Sequence, residues 1–375
     1  MKFHVKRILV IITRQIGDVL LTTPLLRSLR HAYPMAKIDV LLFKGTEGIL
    51  KGNPDVNTII PIDKKPGIKQ AFHLAQKILR RYDLSISTLS GDRPSIYTFL
   101  AASRRVSIVP PYRWQESWKR MITEKWMELD DWDTHTVIQN LRLCDLLGIE
   151  RKYEVVVPES TIAKKILRDL LSFPWPDHPY AVFHMVPKRR YKYWTLKGWI
   201  RLAQFLTSKG FHVVITGGGD REEIDYVRSA IPHMPENTSS LAGRLTLPEV
   251  ATLIRSSSIY VGPDTAVTHL AAATGIPTVA LYGPTNPVKW APWPYGYKQD
   301  KNPFSRTGTQ LVDNVLLIQG PGDCVPCHRE GCNGHRQSRS LCMEGLDAEI
   351  VIQGLDGMIN TSLRSMTPLT LHSSD

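Results

Sequence analysis

No run of about 18 apolar residues occurs in the chain, so nothing in it is built to span a bilayer. Cysteine is scarce: five in 375 residues, with all but Cys144 lying between Cys324 and Cys342. A chain of this length, 42% hydrophobic, buries its own core and needs no staples. The pattern Gly-x-Gly-x-x-Gly is missing where a dinucleotide enzyme needs it. The turn after the first apolar segment reads Thr13-Arg14-Gln15-Ile16-Gly17-Asp18, which argues against a nicotinamide cofactor. No helix-turn-helix, RNA-recognition or finger signature stands out, so a basic nucleic-acid-binding protein is a weak reading. Acidic residues run short, 35 against 47 Lys and Arg, for a net charge of +12. That surplus suits phosphorylated substrates or an anionic membrane face, and equally plain solubility. Met1-Lys2 followed by Ile8–Ile12 imitates a signal peptide, but Arg14 cuts the apolar stretch short, and a cytoplasmic protein is expected.

What the chain has is alternation. Arg7–Ile12, Lys37–Phe43, Val56–Pro61 and Tyr82–Leu89 read as strands, with helices from Thr23-Pro24 to His31 and over Ile68–Arg81. His135–Leu147, closed by Gly148, and Ile162–Leu171 read as helices on either side of a strand at Tyr153–Val157. The stretch from Arg104 to Trp132 departs from this pattern, interleaving Arg104, Arg113, Lys119 and Lys125 with Trp114, Trp118 and Trp126. Such a stretch holds a phosphorylated sugar or rests on an anionic surface, or else is a solvated helix with its Trp residues packed inward. Phe173–Pro179 is the best linker. Beyond it strands at Tyr180–Met185 and Phe211–Thr216 alternate with helices at Leu196–Lys209, Arg221–Ala230 and Leu247–Ser256. The pattern predicts two doubly wound α/β domains, 1–172 and 180–345, with a ligand cleft between them. A last helix follows from Leu346, and then a polar tail from Thr361 to 375.

The most informative stretch runs from Ser258 to Pro287. Ile259–Val261 is a short strand ended by Gly262-Pro263; Asp264 stands at an N-cap position; Thr265–Thr274 is a small, Ala-rich helix closed by Gly275; Thr278–Tyr282 is a buried strand. A unit of this kind leaves a helix N-terminus at the carboxyl edge of the strands, where amides and the dipole favour an anion. It is a phosphate site or an ordinary βαβ unit, and His269 beside Thr265 favours the first. Asp18 is a general base or the cap of a turn. Lys192, in the cationic loop Lys188–Trp194, suits a diphosphate leaving group or is solvated. Glu222 and Glu223, after Gly217-Gly218-Gly219, are placed for a ribose diol or are first-turn charges on a helix.

Taken in order, these pieces resemble glycosyltransferase family 9, the ADP-heptose:lipopolysaccharide heptosyltransferases. The matching residues are Gly17-Asp18-Val19-Leu20 with Thr23-Pro24, Asn53-Pro54, Lys192-Tyr193-Trp194, the triple-glycine loop with Glu222, and Gly262–Leu270 with Leu281–Thr285. Ala266 stands where the family commonly has Gly. The resemblance implies a GT-B fold, with the acceptor on the first domain and the nucleotide-sugar on the second. It implies an inverting, metal-independent transfer of heptose from ADP-heptose to the lipopolysaccharide inner core, of the type that adds the third core heptose. Asp18 would be the base. Lys192 and the helix N-terminus at Thr265-Ala266 would stabilise the departing ADP, with Asp264 and His269 completing the phosphate loop. Glu222 would hold the ribose. Arg93, Arg104 and Arg113 would meet a lipid A–Kdo–heptose acceptor, placing the enzyme peripherally on the inner membrane. The rival within the fold is a GT-B transferase with another nucleotide-sugar and polysaccharide.

One segment stands apart: Cys324-Val325-Pro326-Cys327, then Cys332 and Cys342. Its spacing starts like a zinc knuckle, and it is similar to segments near the C-terminus of that family. Structural zinc, disulfides and a compact loop of free thiols all remain open.

Overall fold

The computed structural model describes residues 5–366; the expected polar tail lies outside the described residues from 367 onward. The chain forms two α/β units. The first comprises Met1–Ala163, Thr246–Ala251 and Val288–Ser305; the second comprises Lys164–Leu245, Thr252–Pro287 and Arg306–Asp375. This differs from the single cut expected between 172 and 180. The boundary falls between Ala163 and Lys164, so the linker Phe173–Pro179 lies inside the second unit, and two short later segments return to the first.

The first unit is built on a parallel sheet of six strands: β1 (Arg7–Ile12), β2 (Lys37–Phe43), β3 (Thr58–Ile62), β4 (Tyr82–Ser87), β5 (Ala102–Val109) and β6 (Lys125–Glu128). Their order is β3-β2-β1-β4-β5-β6. Ile8 to Ile12 of the central strand are fully buried, as the run of β-branched residues requires when helices cover both faces. Each such side chain contributes about 1.5–3 kcal/mol of burial. The helix Thr23–Ala32 buries Leu25, Leu26 and Leu29. Thr23 is not its cap. The Thr23 hydroxyl donates to the Leu20 carbonyl at 2.7 Å and accepts from the Val156 amide at 2.9 Å.

Two expectations fail here. Residues 153–157 form no regular element and join no sheet, although Val155–Val157 are buried. Amides of this segment are taken by hydroxyls of the helix Thr23–Ala32, Lys152 N to Ser28 Oγ (2.8 Å) and Val156 N to Thr23 Oγ1, so a side-chain ladder replaces a strand partner. The basic stretch from Arg104 is not one helix either. It holds β5, the short helix Ser117–Met121 and β6. Val106, Ile108 and Val109 supply the burial that makes β5 a strand.

The second unit has seven strands: β7 (Tyr180–His184), β8 (His212–Thr216), β9 (Thr238–Ser240), β10 (Ile259–Pro263), β11 (Thr278–Tyr282), β12 (Gln310–Val312) and β13 (Val315–Gln319). The order is β12-β13-β11-β10-β7-β8-β9, with only β12 antiparallel to its neighbour. The helix Leu196–Ser208 starts at Thr195, whose hydroxyl accepts from the Gly198 amide at 3.0 Å. Its Trp199, Leu202, Ala203 and Leu206 pack with Phe183, Val213 and Ile215. A Cβ at Gly198 would stand 2.5 Å from the Trp194 indole, so only glycine lets the helix lie this close. Val351, Ile352 and Leu355 of the last helix, Ala348–Met366, join the same core, and Lys209 pairs with Asp356 at 2.6 Å. These contacts of the helix lie within its own unit; that a last helix crosses back onto the first domain is what the resemblance to GT-B proteins implies.

In both sheets the strand order reverses direction at one point, between β1 and β4 in the first unit and between β7 and β10 in the second. Loops leaving the carboxyl ends of such strands diverge and open a crevice, the standard place for a ligand in an open α/β sheet.

Candidate active site

Asp18 lies at the first of these crevices. β1 ends at Ile12, Gln15 is extended, and the five-residue helix Ile16–Leu20 carries Asp18 in its first turn. Two bonds hold this helix from behind: the Thr22 hydroxyl donates to the Asp18 carbonyl at 2.8 Å, and Asn140 Nδ2 donates to Thr22 Oγ1 at 3.2 Å. The Asp18 side chain is 17% exposed, with Arg14 Nη1 3.9 Å away. It lines a small pocket with Arg14, Asp131, Gln139, Lys289 and Trp290. Burial pushes the Asp18 carboxyl above its ordinary value, outweighing Arg14, the Gln15 amide and Lys289. A carboxylate shifted towards neutrality and open to a pocket is what a general base requires. The more open hollow of Lys6, Arg7, Lys37 and Asp39 lies at the amino ends of the strands, away from Asp18.

The second crevice holds Lys192 and Asp264. Lys192 ends a 3-10 turn, Arg190–Lys192, in the loop after β7; Asp264 directly follows β10, the neighbouring strand. Lys192 Nζ forms a short ion pair with Asp264 Oδ2. Burial alone would raise the Asp264 carboxyl, but Lys192 and His269 outweigh it and hold the group below its ordinary value. Asp264 is therefore not the helix cap that the sequence suggests. Thr265 is the cap, its Oγ1 accepting from Thr268 N at 3.3 Å, and the helix runs Ala266–Thr274 to Gly275 at φ 88°. β10 also runs through Gly262-Pro263 rather than stopping before them.

A buried chain of hydroxyls fixes this helix start. Tyr260 OH and Thr268 Oγ1 are 2.9 Å apart, Thr268 Oγ1 is 3.1 Å from Thr265 Oγ1, and it donates to the Pro263 carbonyl. A Cβ at Gly262 would fall 2.2 Å from the Tyr260 hydroxyl, so glycine is demanded by this network. The amides of Ala266 and Val267 come before the helix's own ladder begins, where an anion is favoured. His269 is buried, its Nε2 3.9 Å from Asp264 Oδ1 and its Nδ1 without a hydrogen-bond partner. Burial lowers its pKa to about 4 despite Asp264, so near neutral pH the ring is an uncharged donor or acceptor. Across the loop after β8, Asp220 caps the helix Arg221–Ala230, and Glu223 Oε2 takes the Gly218 amide at 2.6 Å. Glu223 thus braces the glycine loop, and Glu222, exposed beside it, is left as the diol candidate.

The model of the family described as "Glycosyltransferase family 9 (heptosyltransferase)" matches residues 71–307. The chain belongs to glycosyltransferase family 9. It is 31% identical over 292 residues to the lipopolysaccharide heptosyltransferase 3 of Escherichia coli, covering 74% of this chain and 83% of that protein. Among solved structures it is similar to the family 9 glycosyl transferase of Veillonella parvula, with a TM-score of 0.76 and 19% identity over 96% of this chain and 99% of that one. It is also similar to the E. coli heptosyltransferase WaaC with ADP-2-deoxy-2-fluoro heptose, with a TM-score of 0.66 and 21% identity over 94% and 99%. These likenesses show the GT-B type of fold, two Rossmann-like units each wound 3-2-1-4-5-6 through its parallel strands.

Within this family 9 glycosyltransferase the three acceptor arginines do not lie together. Arg93 sits in the first turn of the helix Asp92–Ala101 after β4 and donates to the Lys64 carbonyl at 2.7 Å. Arg113 is exposed just past the carboxyl end of β5, beside Tyr112 and Trp114, which are 69% and 74% exposed. Arg104 is different: it pairs with Leu84 near the amino end of β5, on the opposite edge of the sheet from Asp18. A strand advances about 3.3 Å per residue, so the five steps from Arg104 to Val109 put it roughly 17 Å from that edge. Lys289, Gln139 and Asp131 were missed because no local motif surrounds them; residue 289 reaches the pocket only through the chain's late return. The cysteines make no disulfide, and Cys342 is buried. It packs below Gly283 and Gly320, where a Cβ would meet Cys342 Sγ at 2.9 Å and its carbonyl at 2.1 Å. Among the described residues no three His, Cys, Asp or Glu side chains are grouped to hold a metal ion, so this arrangement does not fit the zinc site that the spacing suggests. The segment is a cap packed on the ends of β11 and β13.

Proposed function

We propose that the enzyme moves heptose from ADP-heptose to a heptose of the lipopolysaccharide inner core, the third core heptose, with inversion at the anomeric carbon. The observation that carries this reading is the Lys192–Asp264 pair beside the free amides at Ala266, in a chain of family 9. Asp18 accepts the proton of the acceptor hydroxyl as that oxygen attacks the anomeric carbon, and the bond from that carbon to the ADP oxygen breaks. The leaving diphosphate gains charge in the transition state; Lys192 and the helix start at Thr265-Ala266 face that charge, and neutral His269 donates to it. Positive charge for the leaving group therefore comes from the protein, and the transfer needs no metal. Glu222 holds the ribose hydroxyls. The methyl of Ala266 lies on the first helical residue and leaves its amide available.

The acceptor carries lipid A and phosphates, and the surface around Arg113 is suited to it. Tyr112, Trp114 and Trp126 are exposed there, and Arg120 lies over the Tyr112 and Trp126 rings at 5.4 and 4.9 Å. Cations over exposed aromatics favour an interface of phosphate headgroups and acyl chains. No helix among the described residues is long and apolar enough to cross a membrane. The reading is a cytoplasmic enzyme resting peripherally on the inner membrane.

The test is to incubate the protein with ADP-heptose and a Kdo–heptose lipid A acceptor and weigh the product by mass spectrometry. A gain of one heptose with release of ADP is expected. Transfer only from a different nucleotide-sugar would overturn the donor assignment. In the same assay Arg113→Glu should raise the acceptor KM several-fold with donor KM unchanged, and Arg104→Glu should change neither. Equal effects of the two substitutions would remove the acceptor surface from the neighbourhood of Arg113.

A further inference from the structure

Lys289 is 2% exposed, an unusual position for a lysine. It arrives from residues 288–305, which follow the second unit's β11 in sequence but belong to the first unit. Its backbone is clamped: Thr136 Oγ1 donates to the Lys289 carbonyl at 3.0 Å, and His135 Nε2 bonds the Ala291 carbonyl at 2.9 Å. Its ammonium is clamped as well, donating to the Asp130 carbonyl and, at 3.1 Å, to Gln139 Oε1. The side chain cannot swing to solvent without breaking both bonds. It lines the same pocket as Asp18, and the charged groups facing the two are Arg14, Asp130 and Asp131.

A buried ammonium is costly, and pinning Gln139 and a carbonyl does not require one. What a neutral side chain could not supply is a fixed positive charge lining the pocket of a carboxylate whose own burial favours its protonated form, added to that of the more exposed Arg14 at 3.9 Å. We propose that Lys289 is a positioning residue for the transfer: its cation keeps Asp18 ionised at the pH where the base must work. Burial lowers the lysine's pKa to about 8, opposed by Asp131 and Asp130, so it remains charged across the acidic range in which Asp18 titrates. The sign follows. A cation nearby lowers the pH at which Asp18 gains its proton; removing that cation moves the loss of activity to higher pH.

This inference rests on Asp18 being the base. The measurement is kcat/KM for ADP release from ADP-heptose against pH, in the presence of the Kdo–heptose acceptor. In Lys289→Met the acid limb should rise by about half a unit to one unit, and Lys289→Arg, which keeps the charge, should restore it. Lys289→Gln, whose amide still donates to the Asp130 carbonyl, should give the same rise and serves if the Met variant fails to fold. An acid limb unmoved in a folded Met or Gln variant overturns the role of Lys289, provided that Asp18→Asn is inactive. If Asp18→Asn keeps its activity, the base assignment falls instead, and the two failures are distinct.

Discussion

Asp18→Asn should lower kcat by at least about a hundredfold while leaving ADP affinity unchanged. The amide keeps the shape of the carboxylate, so the Thr22 bond to the residue 18 carbonyl and the helix Ile16–Leu20 survive. What disappears is a base in the pocket, and positioned proton transfer is worth about a hundredfold or more. Calorimetry with ADP reads the other unit and serves as the control. The wild-type profile should also show the raised carboxyl: activity falls as pH drops through a value above the ordinary 3.8, because only the ionised form accepts a proton. Near-normal turnover by the Asn variant would make Asp18 a turn residue, and the base would have to be sought elsewhere.

Lys192→Ala is expected to act on both binding and rate. In the proposed reading its ammonium faces charge that the diphosphate already carries in the ground state, and more as the bond breaks, so kcat/KM should fall on the order of a hundredfold with weaker ADP binding. It should also destabilise the fold by about 1–3 kcal/mol, because Asp264, 9% exposed, is left as a buried carboxylate without its cation. The pair's contribution has a definite pH dependence. Lys192 lowers the Asp264 carboxyl, so this stability is fully present above the unfolded value of 3.8 and is lost as pH falls through the depressed one. Lys192→Ala with Asp264→Asn separates the two effects. Thermal stability should return in the double variant while ADP binding stays weak. Recovery of binding along with stability would mean that the lysine only holds the fold together.

The doubly wound architecture is legible because buried parallel strands announce themselves: Arg7–Ile12, Lys37–Phe43 and Thr278–Tyr282 are predominantly apolar runs with the observed bounds. β5 and β6 are not: Arg104 and Arg105 interrupt the buried residues of β5 within a basic stretch, and β6 has no buried residue at all. The helix after β10 is legible from Gly275 backwards, but its cap is misplaced by one residue. An Asp before Thr reads as a cap, and only the presence of Lys192, seventy-two residues earlier, shows where that carboxylate is spent. Arg104 illustrates the opposite error. Composition groups it with Arg113, whereas its place in the strand sends it to the other end of the sheet. Long-range partners decide these cases, and they leave no local trace.

The interleaving of the two units along the chain has a consequence for how the protein is made. The six strands of the first unit all precede Ala163, but Lys289, the Ala291 carbonyl that bonds His135, and Trp293, stacked on Tyr153 at 6.5 Å, come much later. On a ribosome the first unit therefore waits, with the pocket around Asp18 unfinished, until residue 305 has emerged and the strands of the second unit up to β11 have been synthesised. A nascent chain stopped at the linker would carry the base without the lysine beside it. The pocket around Asp18 is thus closed only after β11 of the second unit has been made.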